Sequence, residues 1–304
     1  MLKIVDASDL SFRSSAEIGA FKGPVKNLSN NDYHALKKYW ASTDLKFMAS
    51  SSPAHFKEQY FSKIPKIKKT TDAMLLGSLV HTMLLTPGDF GKEFFIIPNL
   101  NLRTNEGKAT KEKLLTENPN KLPITDELLI QANSMRSAAK ANPKIMELLE
   151  KGLPEVAFFW TCPFSGLNFK AKLDQSSVAN NYFCELKTTS DASPNYFSKH
   201  VFDMNYDLSL VHYREGLKQC MGIDAPAYFI VIEQDEPHVT QVYKVGDGYW
   251  ATGHDKWLSS VTKLEQGIKK EIWHGYFPDT NDIPELNPPA WAMNKLMKEE
   301  LHGV

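Results

Sequence analysis

Residues 167–189 read LNFKAKLDQSSVANNYFCELKTT, and how this stretch is read decides the fold. Apolar and polar residues alternate over 167–174, the period of two that a strand gives its side chains, and both LNFKAKLDQSS (167–177) and YFCELKTT (182–189) read as strands. Ala179-Asn180-Asn181 supplies turn chemistry between the two runs, which predicts a hairpin. On the second strand Glu185 and Lys187 project from one face, with Cys184, Leu186 and Thr188 on the other. The turn brings Asp174 alongside that pair. Two carboxylates converging with a lysine make an oxygen-rich site suited to Mg²⁺ or Mn²⁺. A metal there can activate water and neutralise charge on a phosphodiester. The same residues also fit a salt bridge between neighbouring strands, worth about 0–1 kcal/mol at a surface. Glu185 and Lys187, however, interrupt an apolar strand, where unpaired charges are costly.

Outward from the hairpin the period of two recurs in EVAFFW (155–160), AYFIVIEQ (227–234) and TQVYKV (240–245), all read as strands. Helical patterns occupy 206–222 and 248–275. Before residue 155 helices dominate. Residues 31–61 are helical with a break at Ser50-Ser51-Ser52-Pro53. Residues 72–85, DAMLLGSLVHTMLL, are apolar nearly all round and mark a buried helix. EFFIIP (93–98) is a short strand, 99–121 a polar loop running into a helix, and 125–150 one long amphipathic helix. The order predicts an α/β fold with a central mixed sheet flanked by helices. Residues 31–304 form one domain: a mainly helical part at 31–150, the catalytic sheet and helices at 151–275, and a tail at 276–304. Residues 1–30 are expected to be a flexible N-terminal arm or tag-like leader.

Composition bounds the partners. The 304 residues are 42% hydrophobic, enough for a sizeable core, and the formal net charge is −1, so bulk charge does not advertise a polyanion ligand. Basic residues instead cluster at Lys63, Lys66, Lys68 and Lys69 and at Arg103, Lys108, Lys111 and Lys113. Cys162, Cys184 and Cys220 show no paired spacing, which suits a reducing cytoplasm. No signal peptide is recognisable and no apolar run approaches the roughly 20 residues that cross a bilayer. The chain reads as soluble and intracellular.

Other residues stand out singly. His81 lies in the apolar helix one turn after Gly77, which would permit close approach of a neighbour; His81 would then point at that neighbour or at a metal. A lone histidine in an apolar helix is more often a hydrogen-bonded core residue. Glu155 opens a strand after Gly152-Leu153-Pro154. In YDLSLVHYREG (206–216), Tyr206, Ser209 and Tyr213 share one helical stripe. They can be core, or Tyr206 and Tyr213 can buttress the lysine or touch a phosphate.

With these residues in view, the chain resembles the C-terminal nuclease domain of exonuclease VIII (RecE), in the RecB-like branch of the PD-(D/E)XK nucleases. The likeness spans SPAHF (52–56), the GxxxH element within AMLLGSLVH (73–81), Arg103-Thr104 with Gly107-Lys108, Pro154-Glu155, Lys172-Leu173-Asp174, Glu185-Leu186-Lys187-Thr188-Thr189, the Tyr-Asp…Tyr-x-x-Gly helix at 206–216 and IWHGYFPDT…PPAWA (272–292). It implies a restriction-endonuclease-like core in which Asp174 and Glu185 bind metal, Lys187 is catalytic, His81 is an additional metal ligand and Glu155 is a supporting acid. Arg103 and Lys108 would contact the DNA end or its phosphates, and Lys68 and Lys69 are grouped with them. The Leu186 carbonyl, between the two acting side chains, would join the ligands of two Mg²⁺ ions, for which Mn²⁺ can substitute. One departure concerns Ser209, where this branch usually carries a glutamine that bears on how the scissile strand or the lysine is held.

The resemblance further implies an exodeoxyribonuclease that degrades one strand of linear double-stranded DNA, 5′ to 3′, leaving 3′ overhangs for recombination. It implies a ring-shaped homo-oligomer and a RecT/Bet-like single-strand annealing protein as partner, in the cytoplasm of a bacterial or phage-infected cell. Two other readings keep part of the site: a structure-selective or nicking endonuclease with the same core, and a catalytically inactive DNA-end-binding module.

Overall fold

The computed structural model describes residues 3–9, 21–62, 71–278, 283–294 and 297. In chain order the strands are β1 (Val5–Asp6), β2 (Gly23–Lys26), β3 (Phe94–Ile96), β4 (Leu122–Ile124), β5 (Leu153–Thr161), β6 (Asn168–Ser177), β7 (Tyr182–Thr189), β8 (Ala227–Glu233) and β9 (Thr240–Lys244). The helices are α1 (Asn30–Ala35), α2 (Ser42–Ser50), α3 (Pro53–Phe61), α4 (Asp72–Leu85), α5 (Phe90–Glu93), α6 (Asn105–Glu117), α7 (Asp126–Ala141), α8 (Pro143–Glu150), α9 (Pro194–Asp203), α10 (Tyr206–Met221) and α11 (Asp247–Lys270).

Seven strands form one mixed sheet in the order β1-β2-β5-β6-β7-β8-β9. β5, β6 and β7 are antiparallel neighbours, whereas β7 runs parallel to β8. Alternation along the strands feeds two cores. Val156, Phe158, Trp160 and Phe183 pack with residues of α2, α3, α9, α10 and α11 on one face. Cys184 and Leu186 pack with α4, α7 and α8 on the other. Beside that second layer α1 covers Ala157 and Phe159 of β5. A strand buried on both faces is apolar at nearly every position, and β8 (AYFIVIE) obeys this. Among the described residues no helix is long and apolar enough to cross a membrane.

Two expectations are corrected, and one helix is added. Part of the expected arm is sheet: β2 pairs antiparallel with β5, Val25 opposite Ala157, and Val25 is fully buried. β2 is too short to show a period, yet β5 offers it an open edge and an apolar seat. The long helix expected over 125–150 is two helices. Pro143 lacks the N–H a continuous helix needs, and the Asn142 side chain instead accepts the Lys144 and Ile145 amides to start α8. Residues 194–203, unassigned from the sequence, form α9, whose Pro194 stands at its first turn. The basic cluster with Lys68 and Lys69 lies outside the described residues.

Candidate active site

The sheet parts where its acidic residues meet. Between β5 and β6 the pairing steps from Pro154–Gln175 to Val156–Leu173, leaving Glu155 and Asp174 outside the ladder. Between β6 and β7 it ends at Gln175–Cys184, while β7 continues along β8 to Thr189. The Asp174 carboxylate fills the opening: Oδ2 accepts the Leu186 N–H at 2.7 Å. Glu155 sits here with φ of 54°, a left-handed conformation that costs a residue with a Cβ about 1 kcal/mol or more.

α4 closes the opening from above. A Cβ at Gly77 would stand 3.1 Å from Thr188 Oγ1, so the helix backbone rests close on β7. One turn later His81 reaches the gap. Its Nε2 lies 3.1 Å from Asp174 Oδ2 and 3.2 Å from the Leu186 carbonyl, and its Nδ1 lies 3.8 Å from Glu155 Oε1. One ligand atom from each of His81, Glu155 and Asp174 falls within 4.8 Å of the others. Burial opposes charge on the imidazole, but the Asp174 and Glu155 carboxylates outweigh it and push His81 up to about 10. Burial likewise works against the Asp174 anion, and His81 and Lys187 override it to hold that carboxyl below its ordinary value.

Glu185 and Lys187 occupy the α10 side. Lys187 Nζ donates to Glu185 Oε2 at 2.7 Å and to the Leu186 carbonyl at 3.2 Å, with Asp174 Oδ2 at 3.9 Å. Burial and the neighbouring Asp174 push Glu185 up to about 7 against the pull of Lys187. Burial alone would lower Lys187, yet Glu185 and Asp174 raise it above its ordinary value. The other oxygen of Glu185, Oε1, is buried with no hydrogen-bond partner among the described residues. His81, Glu155 and Asp174 gathered within 4.8 Å, with the Leu186 carbonyl 3.2 Å from His81 and an unpartnered carboxylate oxygen on Glu185 of the adjoining strand, make a donor set that fits a hard divalent cation.

α10 supplies the wall. The Tyr206 ring lies beneath Lys187 Nζ, 5.2 Å from its centroid, and Lys46 Nζ stands 5.1 Å from the same centroid. Tyr213 OH accepts from Ser42 Oγ at 3.2 Å, and its ring meets Phe183 edge-on. Ser209 is buried and its hydroxyl has no partner among the described residues, so the holding contacts of Lys187 are Glu185, the Leu186 carbonyl and Tyr206. Arg103 and Lys108 lie exposed at the start of α6, outside this group. Two cations had no role assigned from the sequence. Lys46 carries no local signal, because α2 meets α10 only in the fold. Lys172 pairs with Glu155 Oε2 at 2.8 Å; its place two residues before Asp174 was the available signal.

A mixed sheet that opens around an Asp, a Glu-x-Lys strand and a histidine from a covering helix defines a PD-(D/E)XK-like domain. The chain belongs to the family DUF3799, described as a PDDEXK-like domain of unknown function, whose match covers residues 41–278. A candidate exonuclease from Eubacterium rectale has a similar solved structure, with a TM-score of 0.58 and 15% identity over 88% of this chain and 98% of its own. That likeness concerns the fold. SSO0001 matches with a TM-score of 0.29 and 12% identity over 77% of this chain and 88% of its own, too low to carry an argument. No curated protein matches.

Proposed function

We propose that the protein is a Mg²⁺-dependent exodeoxyribonuclease that degrades one strand of linear duplex DNA from its 5′ end, leaving 3′ overhangs for strand annealing. The observation that carries this reading is the convergence of Asp174, His81 and the Leu186 carbonyl with the Glu185–Lys187 pair where β6 and β7 separate. The family's PDDEXK-like description and the name of the structural neighbour support it at the level of nuclease. The motif order shared with exonuclease VIII supports the polarity, the ring-shaped oligomer, the annealing partner and the use of two ions.

Asp174, Glu185, His81 and the Leu186 carbonyl would hold the ions, which supply an activated water and neutralise charge on the phosphate. Lys187 is kept a charged donor by the two carboxylates beside it. From there Nζ can orient the attacking water and stabilise the negative charge that builds on the phosphate oxygens. Tyr206 holds that ammonium from below through its ring face.

Lys46 would grip a neighbouring phosphate. Both ammonium groups lie close to the Tyr206 ring. Lys46→Ala should weaken binding of a short duplex in Ca²⁺ and shallow the salt dependence by about one counterion. Fluorescence anisotropy over a salt series reads this, and an unchanged slope would remove Lys46 from the interface.

Polarity and mode are tested with a linear duplex labelled separately at its 5′ and 3′ ends, beside closed-circular DNA. Early loss of the 5′ label alone, with the circle intact, is expected. A nicked circle would make the enzyme an endonuclease.

A further inference from the structure

Glu155 is shared between two partners. Its Oε1 faces His81 Nδ1 at 3.8 Å, while Oε2 pairs with Lys172 Nζ at 2.8 Å. Lys172 Nζ also donates to Asn30 Oδ1 at 2.8 Å. Asn30 Nδ2 donates to Glu93 Oε1 at 2.8 Å, and Glu93 Oε2 accepts from Thr82 Oγ1 at 2.6 Å. Thr82 follows His81 in α4, so the path returns to the helix that carries the imidazole. One polar chain therefore runs from β5 through β6, α1 and α5 to α4.

We propose that Lys172, braced by Asn30, is a positioning residue: it holds the Glu155 carboxylate against His81 Nδ1 so that Nε2 is the nitrogen presented to a divalent cation. This rests on the reading that the site binds such a cation. A histidine ligates through one ring nitrogen, and the hydrogen bond made by the other fixes its tautomer and the plane of the ring. Here Nε2 already faces Asp174 Oδ2 and the Leu186 carbonyl. Only Nδ1 is left to be steered, and Glu155 is the acid beside it. Glu155 needs a partner of its own, because a half-buried carboxylate left without one turns toward water or toward any available cation. Lys172 supplies that partner and neutralises its charge. The Asn30 contact gives the ammonium a second anchor beside Glu155. Glu155, whose carboxylate also lies within ligating reach of His81 and Asp174, acts here through His81.

The test is Mn²⁺ binding by the full chain without DNA, measured by titration calorimetry beside a metal-free thermal melt. Lys172→Met should bind Mn²⁺ about 10- to 100-fold more weakly than wild type, and Lys172→Arg, which can still span Glu155 and Asn30, should recover most of that loss. The metal-free melt of Lys172→Arg should match wild type. A wild-type Mn²⁺ affinity in Lys172→Met overturns the proposal while leaving the metal site intact. Wild-type protein that binds no Mn²⁺ overturns the metal reading itself. Should Lys172→Met fail to fold, Asn30→Ala decides: weaker Mn²⁺ binding is expected, and unchanged binding overturns the proposal.

Discussion

Lys187→Ala should cut DNA with Mg²⁺ about a hundredfold to ten-thousandfold more slowly than wild type, because it removes the donor that orients water and meets the developing charge. Folding should survive. The lost ammonium leaves Glu185 buried, but that carboxyl is already pushed up to about 7 and can take a proton in place of a bare charge. Asp174→Asn is the sharper companion. The amide oxygen of the substituted side chain can still accept the Leu186 N–H that Asp174 Oδ2 accepts at 2.7 Å, whereas alanine would leave that amide unpaired at about 1–3 kcal/mol. Asparagine removes the charge and little else. Both variants should show wild-type circular dichroism, and wild-type cleavage by either would remove that residue from the chemistry.

Gly253→Val should be the most damaging single change to the scaffold behind the site. A Cβ at Gly253 would lie 2.3 Å from the Asp207 carbonyl oxygen and 2.6 Å from its carbon, with Val211 close by. Backbone cannot yield as a flexible side chain can. Asp207 is also fully buried and pinned by the Leu208 amide, Thr252 Oγ1 and Lys256 Nζ. α10 and α11 must therefore separate, at a cost of about 3 kcal/mol. For 304 residues, each contributing about 2.1 cal/mol/K of unfolding entropy, that lowers Tm by roughly 5 °C. It also displaces Tyr206 from beneath Lys187. An unchanged melt would show that the two helices do not pack as closely as described.

The β6–β7 hairpin was legible because strands impose a period of two and the Ala179-Asn180-Asn181 turn folds one strand back on the other, which places Asp174, Glu185 and Lys187 together. The buried character of α4 and the meaning of Gly77 were legible for a similar reason: one apolar helix, one missing side chain, one histidine a turn away. The mixed sheet flanked by helices followed from the order of those elements. What could not be read depends on partners distant in sequence. β2 is a strand because β5 offers an edge. The parting of β6 from β7 at Asp174 is invisible in the alternation. Nothing local announces that Lys46 meets Tyr206, or that Asn30 braces Lys172 across 142 positions. Asn142-Pro143 is different: its break was written in the sequence, and the amphipathic pattern running through it hid it.

The most direct test is to strip the purified protein of metal and follow nucleotide release from linear duplex DNA as Mg²⁺ is added back. No release without metal, a rise that saturates with Mg²⁺, and full suppression by EDTA are expected. Equal release in EDTA, or none at any concentration of Mg²⁺ or Mn²⁺, would contradict the assignment of Asp174, Glu185, His81 and Lys187 to a metal-dependent nuclease centre.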